Sequence, residues 1–258
     1  MKTVILAGGF GTRISEESVL KPKPMIEIGG MPMLWHIMKT YSYYGFNDFV
    51  ICAGYKQHVI KEWFADYFLH TSDVTFDYTS GNGEMIVHNK HVEPWKVTIV
   101  DTGLNTTTGG RLKRIQDYVE NERFMLTYGD GVADVRIPEV IKYHESHGKY
   151  GTISMYNFSQ SKGVVEVGSN GLIEAFREKS DTDGNLINIG FMILEPEVFD
   201  YIHGDEPFEY GPMGRLVSDK QLLGYVHKGY WQCMDTLREK QQIEKLWDSG
   251  KAPWRIWE

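Results

Sequence analysis

Through its first 150 residues the chain alternates short β-branched apolar runs with stretches of helical period, and few folds accept that alternation. Val4–Ala7, Phe49–Ala53, Val97–Asp101 and Phe124–Tyr128 read as buried strands. Between them, Pro32–Tyr44 repeats apolar residues at helical spacing (Leu34, Ile37, Met38, Tyr41), and Val59–Phe68 does so through Ile60, Phe64 and Phe68. Gly110–Val119 and Pro138–His147 complete the series. Uniformly apolar strands separated by helices predict an α/β fold, with a mainly parallel sheet flanked by helices on both faces. Val74–His91 breaks the rhythm, since Ser80-Gly81-Asn82-Gly83 between two β-like runs signals a hairpin. From about Gly151 the pattern turns β-rich, with strands expected at Thr152–Tyr156, Val164–Val167, Leu172–Phe176 and Ile187–Leu194. Helices follow near Val198–Ile202, Met213–Lys220 and Leu237–Ser249. No repeat or linker interrupts residues 1–258, which read as one domain with a β-rich C-terminal elaboration.

Charge limits what such a domain binds. Among 258 residues, 27 Lys and Arg face 35 Asp and Glu, a formal net charge of −8. A surface this acidic is unsuited to nucleic acid or an anionic membrane, because each phosphate contact needs a local cation. No apolar stretch approaches the ~20 residues of a bilayer span. The N-terminus enters a strand directly, without a leader pattern, so a cytoplasmic location is expected. The two cysteines, Cys52 and Cys233, are read as reduced and buried. Any polyanion must therefore meet a few cations gathered in one place.

Leu6-Ala7-Gly8-Gly9-Phe10-Gly11-Thr12-Arg13 supplies a first candidate. Glycines directly after a strand let backbone N–H groups approach a phosphate closely, and Arg13 adds a cation. The dinucleotide fingerprint fails, because Ile14 stands where its third glycine belongs. The P-loop fails for want of Gly-Lys-Ser/Thr. Ten residues on, Lys21-Pro22-Lys23-Pro24-Met25 presents two lysines on a backbone stiffened by proline. Asp130, in Tyr128-Gly129-Asp130-Gly131, falls at the carboxyl end of a strand, where ligands of open α/β sheets bind. A carboxylate there suits Mg²⁺ beside substrate phosphates. Asp235, in Met234-Asp235-Thr236, reads equally as a metal ligand or a helix N-cap.

Together, Leu6–Arg13 and Lys23-Pro24-Met25 resemble the signature of the sugar-1-phosphate nucleotidyltransferases. Thr108-Gly109-Gly110-Arg111, Thr127–Asp134 and Trp231–Thr236, among other stretches, resemble its glucose-1-phosphate cytidylyltransferase branch across nearly the whole chain. The resemblance implies the Rossmann-like nucleotidyltransferase fold and Mg²⁺-dependent transfer of a nucleotidyl group from CTP to a sugar 1-phosphate, glucose 1-phosphate foremost. Arg13 and Lys23 would be catalytic. Leu6, Ala7, Gly8, Gly9, Gly11, Thr12, Arg13, Lys23, Thr106, Arg111 and Gly129 would hold the nucleotide, within a half ending near residue 150. Glu178, Lys179 and Asn188 would bind the acceptor in residues 151–258, and Asp130 with Asp235 would hold Mg²⁺. Arg13, Lys21, Lys23, Arg111, Arg114 and Lys179 are expected to line one cleft.

The acceptor half departs from the family pattern. Ser180 follows Glu178-Lys179 where proline is usual, and Lys162–Val165 and Glu209–Pro212 differ from their counterparts. Ile189 stands where glycine is usual, so a β-branched side chain is expected at the pocket wall. These differences leave open another phosphorylated acceptor. Separately, a UTP or dTTP donor stays open because base-edge contacts are not readable from sequence, and a catalytically silent nucleotide-binding subunit is an alternative that the retained Arg13, Lys23, Asp130 and Asp235 oppose. The resemblance also implies a homo-oligomer, a hexamer among the possibilities, with Tyr41, Tyr43, Tyr44, Trp254 and Trp257 as candidate interface aromatics.

Overall fold

Seven strands form the central sheet in the computed structural model: β1 (Lys2–Ala7), β2 (Asp48–Ala53), β3 (Lys96–Asp101), β4 (Phe124–Tyr128), β5 (Gly151–Phe158), β6 (Asn185–Leu194) and β7 (Leu222–His227). Their order is β7-β5-β6-β4-β1-β2-β3. The structure describes residues 1–88, 92–158, 164–167, 172–177 and 185–257. β4, β1, β2 and β3 run parallel, as do β5 and β7, while β6 is antiparallel to both its neighbours. The sheet is therefore mixed and mostly parallel, and three strands of the C-terminal region extend the sheet that the first half begins.

Helices α1 (Met33–Tyr43), α2 (Gln57–Ala65), α3 (Thr108–Arg114), α4 (Ile137–His147), α5 (Pro212–Ser218) and α6 (Leu237–Asp248) flank it. Alternation within each strand explains the two-sided burial. Ile5 and Ala7 of β1 face a core with Leu34, Ile37 and Met38 of α1, whereas Val4 faces a second core with Leu112 of α3 and Leu216 of α5. Both faces of the strand are thus closed to water, as the uniformly apolar run requires.

The expected hairpin is present, with 73–77 paired antiparallel to 84–88. Residues 164–167 and 173–177 form another antiparallel pair. Two expected helices are interrupted: the one begun at Gln57 ends at Ala65 before a further turn, Tyr67–Thr71, and the one begun at Thr108 gives way to a 3₁₀ turn, Gln116–Val119.

The expected interface aromatics divide. Tyr41, Trp254 and Trp257 are core residues, while Tyr43 is exposed. Trp254 and Trp257 join Trp35 and Trp247 around the buried ring of His36, with centroids 4.7–6.3 Å away. His36 Nε2 lies 2.9 Å from the Ile28 carbonyl, and Trp254 Nε1 approaches Nδ1 at 3.4 Å. That arrangement requires a neutral ring, donating through Nε2 and accepting at Nδ1. C-terminal tryptophans thereby anchor α6 and the chain after it to α1.

Candidate active site

Because β1 to β4 are parallel, the segments after them emerge along one edge of the sheet. The antiparallel register of β6, with Met192 opposite Leu126 and Leu194 opposite Phe124, carries Asn188 to the same edge. A cavity of about 770 Å³ opens there. All eleven expected nucleotide contacts line it, as do Asp130, Asn188 and Asp235. Glu178, Lys179, Ser180 and residues 162–163 lie outside the described residues.

A second small ladder brings the two aspartates together. Gly131–Ala133 pairs antiparallel with Trp231–Cys233, Gly131 opposite Cys233, and Met234 N–H donates to the Asp130 carbonyl at 2.8 Å. Asp235 is therefore delivered beside Asp130. It is not the N-cap of α6. That position belongs to Thr236, whose hydroxyl accepts from Glu239 N–H while the Glu239 carboxylate accepts from the N–H groups of Asp235 and Thr236 at 2.8 Å each. This capping box fixes the Asp235 backbone and leaves its carboxylate free to face the cavity.

Lys23 meets both carboxylates. It sits in a 3₁₀ turn, Lys23–Met25, entered through extended Pro22, and its Nζ lies 2.6 Å from Asp130 Oδ2 and 2.5 Å from Asp235 Oδ1. Arg13 Nη1 reaches Asp235 Oδ2 at 2.7 Å. Burial alone would lower the Lys23 pKa, but attraction from Asp130 and Asp235 outweighs it and raises the value, so the group remains an ammonium. Two carboxylates thus converge on a single cation.

Arg111 lines the cavity but points its guanidinium into the protein. Nη1 approaches Ala53 O, Thr102 Oγ1 and Gly103 O, and Nη2 approaches Gly8 O and Leu104 O, all between 2.7 and 3.3 Å. The planar fork ties the ends of β1, β2 and β3 together. Gly8 is required from within: a Cβ there would lie 2.1 Å from Arg111 Nη1. Arg114 does not line the cavity. It donates to Thr102 O at 2.6 Å and to Thr106 Oγ1 at 2.8 Å, which leaves the Thr106 hydroxyl proton available to a ligand. Lys21 pairs with Glu27 at 2.6 Å and also stands off the cavity. Of the six cations expected in one cleft, Arg13 and Lys23 face the cavity and Arg111 lies beneath the glycine loop; Lys21 and Arg114 stand off it, and Lys179 is outside the described residues.

Two further expectations are corrected. Ile189 does not line the cavity but packs in the core at 3% exposure, because alternation along β6 turns Asn188 toward the site and its neighbour away. Cys233 is only half-buried. It lies on the cavity wall with Sγ 3.8 Å from Asp235 Oδ2, and burial, followed by the nearby carboxylates of Glu239, Asp235 and Asp130, pushes its thiol up to about 12. Cys52 is buried as expected.

Sequence reasoning missed Tyr128, Thr108 and Glu209 as wall residues. Tyr128 Oη donates to Glu209 Oε1 at 2.7 Å, Thr108 Oγ1 donates to Glu209 Oε2 at 2.6 Å, and Asn188 Nδ2 donates to Tyr128 Oη at 3.2 Å. For Tyr128 the signal was a hydroxyl-tipped residue ending an apolar strand. For Glu209 the signal was the departure of Glu209–Pro212 from the family pattern in the acceptor half.

A phosphate-sized glycine loop, two cations and a pair of convergent carboxylates suit transfer of phosphoryl-type groups. The chain belongs to the nucleotidyl transferase family, whose sequence profile matches residues 2–236. It is 52% identical over 260 residues, covering all of both chains, to glucose-1-phosphate cytidylyltransferase of Salmonella typhimurium, and equally so to that of Salmonella typhi. A solved structure of UDP-glucose pyrophosphorylase complexed with UDP-glucose shares the fold at a TM-score of 0.68 and 16% identity, covering 96% of this chain and 98% of its own. Among the described residues no helix is long and apolar enough to cross a membrane.

Proposed function

We propose that this chain transfers the cytidylyl group of CTP to glucose 1-phosphate, forming CDP-glucose and releasing pyrophosphate. The observation that carries the reading is full-length 52% identity to the Salmonella typhimurium enzyme, in a chain whose cavity holds the matching residues. A phosphate oxygen of the sugar phosphate attacks the α-phosphorus of CTP. The bond from that phosphorus to the bridging oxygen breaks, and pyrophosphate carries the electron pair away. The nucleophile is already ionised, so no general base is needed, and positioning and charge neutralisation do the work. N–H groups of Gly8, Gly9 and Gly11 line the triphosphate, and Thr106 donates to the nucleotide. Arg13 and Lys23 stabilise charge on the transferring and leaving phosphates.

The donor set fits a divalent cation. Asp130 and Asp235 already place oxygens around one positive charge, and among the described residues no third His, Cys, Asp or Glu completes a ligand cluster. Phosphate oxygens and water would fill the remaining positions, the habit of Mg²⁺. Bound there, Mg²⁺ would supply electrostatic stabilisation of the phosphate charge.

Pyrophosphate release, measured with CTP, UTP or dTTP and a panel of phosphorylated acceptors with and without Mg²⁺, tests the reading. Release is expected to require CTP, glucose 1-phosphate and Mg²⁺ together. Preference for another acceptor or base would replace the substrate assignment, and silence with every pair would refute catalysis.

We further infer a homo-oligomer, supported by the exposed apolar side chains of Phe76, Tyr78, Met85 and Ile86 on the 73–88 hairpin. Light scattering decides that point, and a monomer would refute it.

A further inference from the structure

We propose that Glu209 reads the hydroxyl groups of the acceptor sugar, held in place for that task by Tyr128 and Thr108; the inference rests on the cytidylyl-transfer reading above.

The hydrogen-bond inventory of this wall has one consistent solution. Gly190 N–H donates to Asn188 Oδ1 at 2.9 Å, which orients the amide so that its Nδ2 faces Tyr128 Oη. Phe208 N–H donates to Thr108 Oγ1 at 2.8 Å. Both hydroxyl protons, from Tyr128 and Thr108, then go to Glu209, one to each carboxylate oxygen. Tyr128 stays a phenol at all ordinary pH, since burial and then the Glu209 charge raise its pKa. The ring cannot swing aside easily, for it lies against Gly190, where a Cβ would come within 2.3 Å of it.

A carboxylate has about four lone-pair directions and no donor. Two are satisfied, and among the described residues Glu209 forms no ion pair. In the open cavity water can fill the remaining directions, and a ligand that displaces that water must bring donors in its place. The wall has its hydroxyl protons directed inward, so it offers a ligand mainly acceptors. It also carries negative charge, which repels phosphate. Of the parts these substrates offer, a neutral group rich in donors suits it better than a phosphate, and a hexose ring meets both demands. Tyr128 and Asn188 come from β4 and β6, the side of the sheet away from β2 and β3, while Thr108 opens α3 two residues beyond Thr106, so Glu209 joins the two sides of the cavity. The phosphate-binding Arg13 and Lys23 lie between.

Other donors on the substrates fit an acceptor wall, the 4-amino group of cytosine and the ribose hydroxyls, and kinetics separate these CTP groups from the acceptor sugar. Glu209→Gln keeps shape while removing charge. It is expected to raise the KM for glucose 1-phosphate roughly ten- to a hundredfold, as loss of a charged hydrogen bond does. The KM for CTP and the preference for CTP over UTP should stay as in the wild type. Tyr128→Phe should move the same constant in the same direction by less. Among monodeoxy glucose 1-phosphates, the analogue lacking the contacted hydroxyl should be penalised by the wild type and not by Glu209→Gln. A raised KM for CTP, or weakened choice against UTP, would overturn the proposal in favour of a contact to CTP. Unchanged constants with only a lower melting temperature would overturn it in favour of a structural role. If Glu209→Gln fails to fold, Tyr128→Phe with the deoxy series decides alone. A wild type inactive with CTP and glucose 1-phosphate would instead refute the parent reading, and this one with it.

Discussion

Lys23 Nζ and Asp235 Oδ1 lie 2.5 Å apart although 212 positions separate them in the chain. The same ammonium contacts Asp130, so a lysine occupies the focus of the two carboxylates assigned above to a metal. Cation and ammonium therefore compete for one place. Lys23→Met is expected to lower turnover by orders of magnitude while the fold persists. It should also let the free protein bind Mn²⁺ more tightly in the absence of nucleotide, because Asp130 loses its counter-charge and Asp235 keeps only Arg13. Titration followed by electron paramagnetic resonance reads the second effect independently of activity; unchanged Mn²⁺ affinity would contradict the competition.

Arg111 touches five oxygens, four of them backbone carbonyls, so its loss should be felt as stability before it is felt as binding. Lysine cannot reproduce the fork. Arg111→Lys is expected to cost about 3 kcal/mol in denaturant unfolding, from carbonyls left unpaired. CTP affinity should fall with it, since the Gly8 loop loses its support. A variant of wild-type stability would show that the carbonyls find other donors.

The capping box links helix stability to the site. Thr236→Ala removes one cap hydrogen bond and should cost about 1 kcal/mol. Glu239→Ala releases both the Thr236 and the Asp235 N–H groups, and should lower turnover further than its effect on stability predicts. Comparing kcat with melting temperature for the two variants checks this; proportional losses would show that the box serves the helix alone.

Acid should loosen the C-terminal clamp. Burial, opposed only in part by the Ile28 and Met31 carbonyls, lowers the His36 pKa from 6.5 to about 4. The unfolded chain takes up this proton near 6.5, while the folded chain refuses it until about 4. Stability is therefore full above pH 6.5 and declines as pH falls toward 4, by about 3 kcal/mol in all from this group. His144 and His147 shift in the same direction, chiefly through burial, and steepen the decline. Urea midpoints between pH 8 and 4.5 give the slope, and His36→Gln should flatten much of it.

The glycine loop, the Lys-Pro-Lys-Pro segment and the carboxylate after β4 were legible because their chemistry is local, written in a few adjacent residues. The parallel sheet was legible for a similar reason, through strands apolar on both faces. Arg111 could be placed near the nucleotide, but its partners lie as far as 103 positions away, so its structural role was hidden. Ile189 misled because a family position says nothing about which side of a strand faces ligand; two-residue periodicity does, and Asn188 holds the facing place. Asp235 remained ambiguous until the 131–133 and 231–233 ladder was seen, since neither short strand announces its partner. Glu209, in a segment with no period of its own, was legible only as the start of a stretch that departs from the family pattern; its partners Tyr128 and Thr108 lie 81 and 101 positions away.

The pairing of Arg13 with Asp235 joins residues 222 positions apart, and it has a meaning for the chain while it is being made. A chain growing on the ribosome presents its glycine loop early and acquires the second of its two convergent carboxylates only after position 235 has emerged. Domains fold as synthesis proceeds at about 5–20 residues per second, so that interval lasts on the order of ten seconds or more. Until then Arg13 lacks this partner and Lys23 has Asp130 alone, so the paired-carboxylate arrangement exists only in a chain made past position 235.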